Sequence, residues 1–250
     1  MPVHPDLVFA DARTAVDLRT FVARARQVDD GGIRLVVTGA VLAATVCVLR
    51  PPGFGESGPT VLGLRTMELV DDAADGLDVT VPLGGVADRL ARAADAADAV
   101  GDDDPARRRL PVPPTTLTEP WAGIAAPRGG WERIGAASAD DLRAAARHGI
   151  DLVRTALPQD AGSAVLHTVR RAVLAAPAEG LPTAPDAPAE AGTTGGHPIP
   201  LAAAYAAELL GFLGAAGAGG AGSDADGMTV FASGRWLRLS NARGHILIKA

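Results

Sequence analysis

The sequence predicts an α+β protein, and three observations carry that assignment. Residues 11–28 and 83–100 space their apolar side chains three and four apart, as amphipathic helices do. Residues 33–38 and 41–49 are valine-rich runs bounded by turn residues, and residues 228–248 break into three short runs separated by turns. The class expected is an antiparallel sheet with covering helices in the N-terminal half, and helices plus a short three-strand sheet in the C-terminal half.

Taken in order, Val16, Phe21, Val22, Ala25 and Val28 mark the inward stripe of a first helix over 11–28. Asp29 to Gly32 stop it, and a strand follows at 33–38. Gly39-Ala40 makes a tight turn into a second strand at 41–49, and 51–59 is a loop. Strands at 60–70 and 77–81 complete a four-strand meander, and Val86, Leu90, Ala93 and Ala97 mark an alanine-rich helix over 83–100. Residues 101–120 combine an acidic run, a basic run and five prolines, which reads as an extended linker or surface crossing. The second half restarts at Trp121, with a short strand at 131–134. Ser138 and Asp141 form a capping-box-like start to a helix over 139–157. Asp160 caps a helix running to Ala175, with Ala164, Val165, Val169, Val173 and Leu174 inward. A third helix spans 199–213, between a Pro/Ala/Gly/Thr-rich loop at 177–198 and a Gly/Ala stretch at 214–227. The expected organisation is a sheet-and-helix half over 1–104, a Pro-rich linker over 105–120 and a helical half with terminal strands over 121–250, compatible with one continuous domain.

Composition narrows the function classes. Apolar residues reach 48%, but much of that is alanine, and aromatics make up only 4%, so each ring carries a large share of the packing. Cys47 is the only cysteine; it excludes an internal disulfide and a cysteine-rich zinc site, and its apolar neighbours imply a buried thiol. Acids and prolines stand where a secretory leader needs a basic and then an apolar run, so a soluble, cytoplasmic protein is expected. Residues 201–222 contain Glu208 and end in glycine and alanine, too weakly apolar to span a membrane. The net charge of −6 disfavours sequence-independent nucleic-acid binding. The C-terminal strands nonetheless collect Arg235, Arg238, Arg243 and Lys249 without an acid, a candidate basic face.

The most distinctive segment is Trp121-Ala122-Gly123-Ile124 followed by Pro127-Arg128-Gly129-Gly130-Trp131-Glu132, where two of the chain's three tryptophans stand close together. Proline stiffens the entry and the paired glycines permit a tight turn, so the loop can aim Arg128 and Glu132 beside the apolar walls of Trp121 and Trp131. That suits a ligand anion or a partner surface. The simpler reading is that both indoles fill an aromatic-poor core while Arg128 and Glu132 form a surface ion pair.

Other motifs fail on context. Gly217-Ala218-Gly219-Gly220-Ala221-Gly222 matches G-x-G-x-x-G, but a helix precedes it and a strand follows, the reverse of a dinucleotide turn. Asp224 and Asp226 lack the further ligands of a calcium loop, and Pro59 interrupts a nucleophile-elbow pattern around Ser57. His4, His148, His167, His197 and His245 include no pair at helical metal-ligand spacing. No catalytic residue, metal site or cofactor is expected.

Lys249 is the only lysine beside many arginines, as translation from a GC-rich genome produces. With the W-x-G-I…P-R-G-G-W-E segment and the closing R-W-L-R-L-S…R-G-H-I-L-I, the chain resembles uncharacterised proteins of high-GC actinobacteria, a resemblance that implies no particular activity. The segment Asp78-Val79-Thr80-Val81-Pro82-Leu83, leading into residues 86–90, is also similar to the helix-plus-strands module of bacterial DNA sliding clamps, which implies a fold analogy alone. Three readings follow. The chain is a non-catalytic binding or regulatory protein whose partner is another protein or a small anionic ligand, an enzyme with a site assembled from distant segments, or a nucleic-acid-associated protein with a clamp-like module. The first is the one adopted, with no membrane partner.

Overall fold

A computed structural model describes residues 4–53, 56–98, 105–158, 160, 162–182, 197–214 and 227–250. The chain forms two compact units, Met1–Val46 with Leu64–Ile124, and Cys47–Gly63 with Ala125–Ala250.

In the first unit, strand β1 (Asp6–Val8) leads into helix α1 (Ala12–Ala25). Asp11 caps α1, its Oδ1 accepting from the Thr14 backbone N–H at 2.7 Å and from the Thr14 hydroxyl at 2.9 Å. The helix buries Ala15, Leu18, Phe21, Val22 and Ala25. Val16, expected on that stripe, lies off it and is 59% exposed. Strands β2 (Gly32–Thr38) and β3 (Val41–Leu49) form an antiparallel hairpin closed by Gly39, whose φ of +56° is the left-handed conformation glycine adopts freely. Ile33, Leu35 and Val37 stand opposite Val46, Ala44 and Leu42, and all six are buried. Cys47, near the end of β3 where the chain passes into the second unit, is half-buried rather than fully enclosed, with its Sγ 3.5 Å from the Leu49 carbonyl oxygen.

Strand β4 (Thr60–Glu68) is followed by β5 (Asp78–Pro82), but the expected meander does not continue. The order is β5-β2-β3-β4, so the fourth strand returns beside the first, as in a Greek key. The connecting loop explains the return. Gly76 donates to the Val37 carbonyl, Leu77 accepts from the Val37 N–H at 2.9 Å, and the Asp75 carboxylate accepts from the Gly39 N–H at 2.8 Å. The loop is thereby laced to the end of β2 before β5 begins. Arg34 on β2 then grips Asp78 on β5 through two hydrogen bonds, Nε to Oδ1 at 2.8 Å and Nη2 to Oδ2 at 2.7 Å.

Helix α2 (Leu83–Asp98) packs on α1 and buries Leu83, Val86 and Leu90. Within the Pro-rich stretch, a short 3-10 helix (Pro105–Arg108) leads to strand β6 (Arg109–Pro111), which pairs with β1 so that Leu7 faces Leu110, both fully buried. Leu117 donates to the Thr80 carbonyl at 2.8 Å, and a second 3-10 helix (Pro120–Gly123) buries Trp121. Stiff extended chain here lies against the unit and contributes to its core.

The second unit holds β7 (Glu132–Ala137), α3 (Ala139–Ala156), α4 (Ser163–Leu174), α5 (Leu201–Leu209), β8 (Met228–Ser233), β9 (Trp236–Asn241) and β10 (Gly244–Lys249). The three closing strands are joined by β7 in the antiparallel order β10-β9-β8-β7, with a bulge between Arg133 and Gly135. Ser138 caps α3, accepting from the Asp141 N–H at 3.1 Å and donating to the Asp141 carboxylate at 2.7 Å.

Helix α5 is alanine-rich and buries six of its nine residues, leaving Glu208 exposed and Tyr205 and Leu209 half-buried. It spans nine residues, and residues 210–213 turn away where an extension of the helix was expected. Arg143 of α3 is only 8% exposed; its Nη2 donates to the carbonyls of Leu213 and Gly214, supplying donors just beyond the end of α5. Helix α4 departs from its expected orientation. Gly162 stands at its N-cap, Asp160 lies outside with φ +63°, and only Leu174 is buried, while Val165 and Leu166 are 44% and 39% exposed.

The β9–β10 turn packs on the chain leaving α5. Asn241 donates through Nδ2 to the Phe212 carbonyl at 2.8 Å, and its Oδ1 accepts from the backbone of Arg243 and Gly244. Gly244 faces the buried Phe212 ring so closely that an added Cβ would stand 2.5 Å from two ring carbons. Gly244→Ala is therefore expected to destabilise the protein by about 1–3 kcal/mol through overpacking. Gly123→Ala, where an added Cβ would meet nothing within 4 Å, is the control and leaves the urea midpoint unchanged.

Candidate functional site

Strands β7 to β10 alternate, so the register fixes which side chains share a face. Met228, Val230, Leu237, Leu239, Ile246 and Ile248 are buried and make the inner face. On the other face, Arg133, Phe231, Arg238 and Leu247 stand opposite one another in a row across the four strands. Trp131 lies two residues before Arg133 and so reaches the same face. Its indole Nε1 donates to the Pro127 carbonyl at 2.9 Å, which ties the ring to the Pro-Arg-Gly-Gly loop.

The Arg238 guanidinium stands over both neighbouring rings, 4.5 Å from the Trp131 ring centre and 4.7 Å from that of Phe231. Among the described residues no carboxylate pairs with it, and its buried Nε has no hydrogen-bond partner. Burial pulls its pKa down from the usual guanidinium value, although an arginine there stays charged. Two residues along β9, Ser240 is paired across the hairpin with His245, and the Ser240 hydroxyl and His245 Nδ1 are 2.9 Å apart. Burial, and then the nearby Arg238 charge, push the His245 imidazole below its ordinary value of 6.5. The arrangement is a half-buried cation held by two rings, with polar side chains beside it. It can receive an anion without first breaking an ion pair.

The residues singled out from the sequence distribute as follows. Trp121 belongs to the first unit and is 3% exposed, a packing anchor. Trp131 belongs to the second and is half-buried against Arg238. Arg128 and Glu132 are exposed, and no hydrogen bond or ion pair joins them among the described residues. Arg235 lies in the β8–β9 turn, its carbonyl accepting from Ala250, and Lys249 stands opposite Trp236, so both mark the same end of the hairpin. Arg243 is in the turn at the other end, about 20 Å away along six residues of strand. The four cations therefore do not form one patch. Phe231, Arg133, Ser240 and His245 are the participants the sequence reading did not single out.

A cavity of about 300 Å³ beside α3 is lined by Asp141, His148, Glu179 and Leu201 among others, and neither Arg128 nor Glu132 reaches it. Among the described residues no three histidine, cysteine or acidic side chains are grouped to hold a metal, and no helix is long and apolar enough to cross a membrane. The Gly217–Gly222 motif, Asp224, Asp226 and the acids 102–104 lie outside the described residues, as do 183–196 of the proline-rich loop.

The His245 shift has a pH consequence. Above pH 6.5 the imidazole is neutral in both folded and unfolded chains; below it the unfolded chain takes up a proton first, so stability falls as the pH drops towards the native value. His245→Gln, which keeps a partner for Ser240, is expected to lose less thermal stability than the parent between pH 7.5 and about pH 5.5. Parallel melting curves at the two pH values check this.

Comparison with known proteins places the chain. Residues 3–109 match the family described as Domain of unknown function (DUF8010), and residues 126–250 match that described as Domain of unknown function (DUF8185). No curated protein matches the sequence. A solved structure described as Caulobacter crescentus pol III beta is similar at 13% identity with a TM-score of 0.45, over 98% of this chain and 65% of that one. With the match covering its C-terminal half from residue 126 to residue 250, the chain belongs to the DUF8185 family.

Proposed function

We propose that this protein is a non-catalytic binding protein that recognises an acidic segment of a protein partner on the outer face of β7–β10. The observation that supports this reading is the Arg238 guanidinium, stacked on Trp131 and Phe231 with no carboxylate partner among the described residues. Each ring contact contributes about 0.5–2 kcal/mol and fixes the guanidinium plane before any ligand arrives. A carboxylate then gains charge-assisted hydrogen bonds to a donor whose orientation is already set. Arg133 in the same row, with Lys249 and Arg235 at one end, adds positive charge around the stack. Trp131 and Phe231 supply the apolar ground on which a peptide backbone or side chain can lie.

The test is fluorescence anisotropy with a labelled hexaglutamate peptide at low salt. The parent protein is expected to bind it saturably. Arg238→Met, which keeps the stem between the rings, weakens binding about tenfold, the loss of one charge-assisted pair. Arg238→Lys restores it only in part, because an ammonium lacks the planar fork. No binding by the parent, or equal binding by Arg238→Met, contradicts the proposal. Tighter binding of single-stranded DNA than of the peptide would replace it with the nucleic-acid reading.

A further inference from the structure

A cleft between α1 and α2 in the first unit is separate from the Arg238 face and rests on different residues. Its walls come from Ala15 and Val16 on α1 and Leu90 and Ala93 on α2, and its mouth carries Arg19 and Arg107. Alanines on both helices leave a gap where larger side chains would interdigitate. The gap measures about 150 Å³. An apolar cavity of roughly that size holds one benzene ring.

The wall is unusual in what it leaves in water. Leu90 and Ala15 are buried at its base, 4% and 6% exposed, but Val16 at the rim is 59% exposed. A branched apolar side chain here lines a concave surface with nothing among the described residues covering it. Among the described residues the charges lining the cleft are of one sign. Both charged residues that line it are arginines, and the nearest acid on α1, Asp17, is engaged by Arg65. Arg19 is exposed and forms no hydrogen bond or ion pair among the described residues. An apolar pocket the size of one ring, under an unpaired cation, is complementary to a ligand with an apolar body and a single negative charge.

We infer that the α1–α2 cleft binds a small amphipathic carboxylate, its benzene-sized body against Ala15, Leu90 and Ala93 and its carboxylate at Arg19. No covalent step is involved.

Titration calorimetry of the full chain with 3-phenylpropionate tests this site without involving the Arg238 face. Saturable binding is expected, and 3-phenylpropanol, of the same shape but uncharged, binds about fivefold more weakly, the scale of one exposed ion pair. Ala93→Leu fills the cleft and abolishes binding. Val16→Asp sits at an exposed position, leaves the core untouched and sets a like charge at the mouth; it also abolishes binding, and it decides the matter if Ala93→Leu lowers the melting temperature. Absence of saturable binding by the parent, equal affinity for the uncharged analogue, or retained binding in Val16→Asp overturns the inference.

Discussion

The Arg238 guanidinium held between Trp131 and Phe231 organises the outer face of the second unit. In a chain where aromatics make up 4% of residues, two of the few rings are set against a cation instead of one another or the core. Phe9, Phe21, Phe212 and Trp121, by contrast, are all but fully buried, and Tyr205 carries the Arg170 guanidinium 5.0 Å from its ring centre. An arginine stacked this way is fixed in orientation and stripped of part of its hydration, yet its charge has no carboxylate beside it among the described residues. The same charge reaches His245 and, with burial, holds that imidazole neutral, so the face carries a single strong cation at its centre.

The inner side of that sheet depends on the opposite economy of size. Helix α5 buries Leu201, Ala202, Ala203, Ala204, Ala206 and Ala207, and Gly149 of α3 approaches Leu174 and Leu201 so closely that an added Cβ would lie 3.2 Å from the first. Small residues let backbones approach closely, which recovers packing density but offers little area per residue. Polar devices therefore matter at the ends of these elements. Arg143 satisfies the carbonyls after α5, and Asn241 ties the β9–β10 turn to Phe212.

Much of the secondary structure was legible. The period-2 and period-3.6 patterns locate α1, α2, α3 and the strands β2, β3, β4, β8, β9 and β10 to within a few residues, because each has one dry face. What lacked a local signal was missed. Strands β1 and β6 are three residues each, too short for a period to appear, and the return of β5 to β2 depends on backbone bonds made by Gly76 and Leu77. The apolar count of α4 suggested an inward face, but that helix leaves Val165 and Leu166 in water.

The candidate site was legible in fragments. Trp131 and Arg238 each stood out, but as members of two separate groups, the glycine loop and the basic end strands. Proximity in sequence tied Trp131 to Trp121, which folds into the other unit, whereas strand register ties it to Arg238. The missing signal was the turn: with Gly234 and Arg235 as its two central residues, Ser233 pairs with Trp236 and Phe231 falls opposite Arg238. The direct test of the stack is the NMR resonance of the Arg238 side-chain Nε–H. Two facing rings predict a proton shifted upfield of those of exposed arginines, moving back towards them in Trp131→Leu. An Arg238 signal at the exposed position, indifferent to Trp131, would contradict the account.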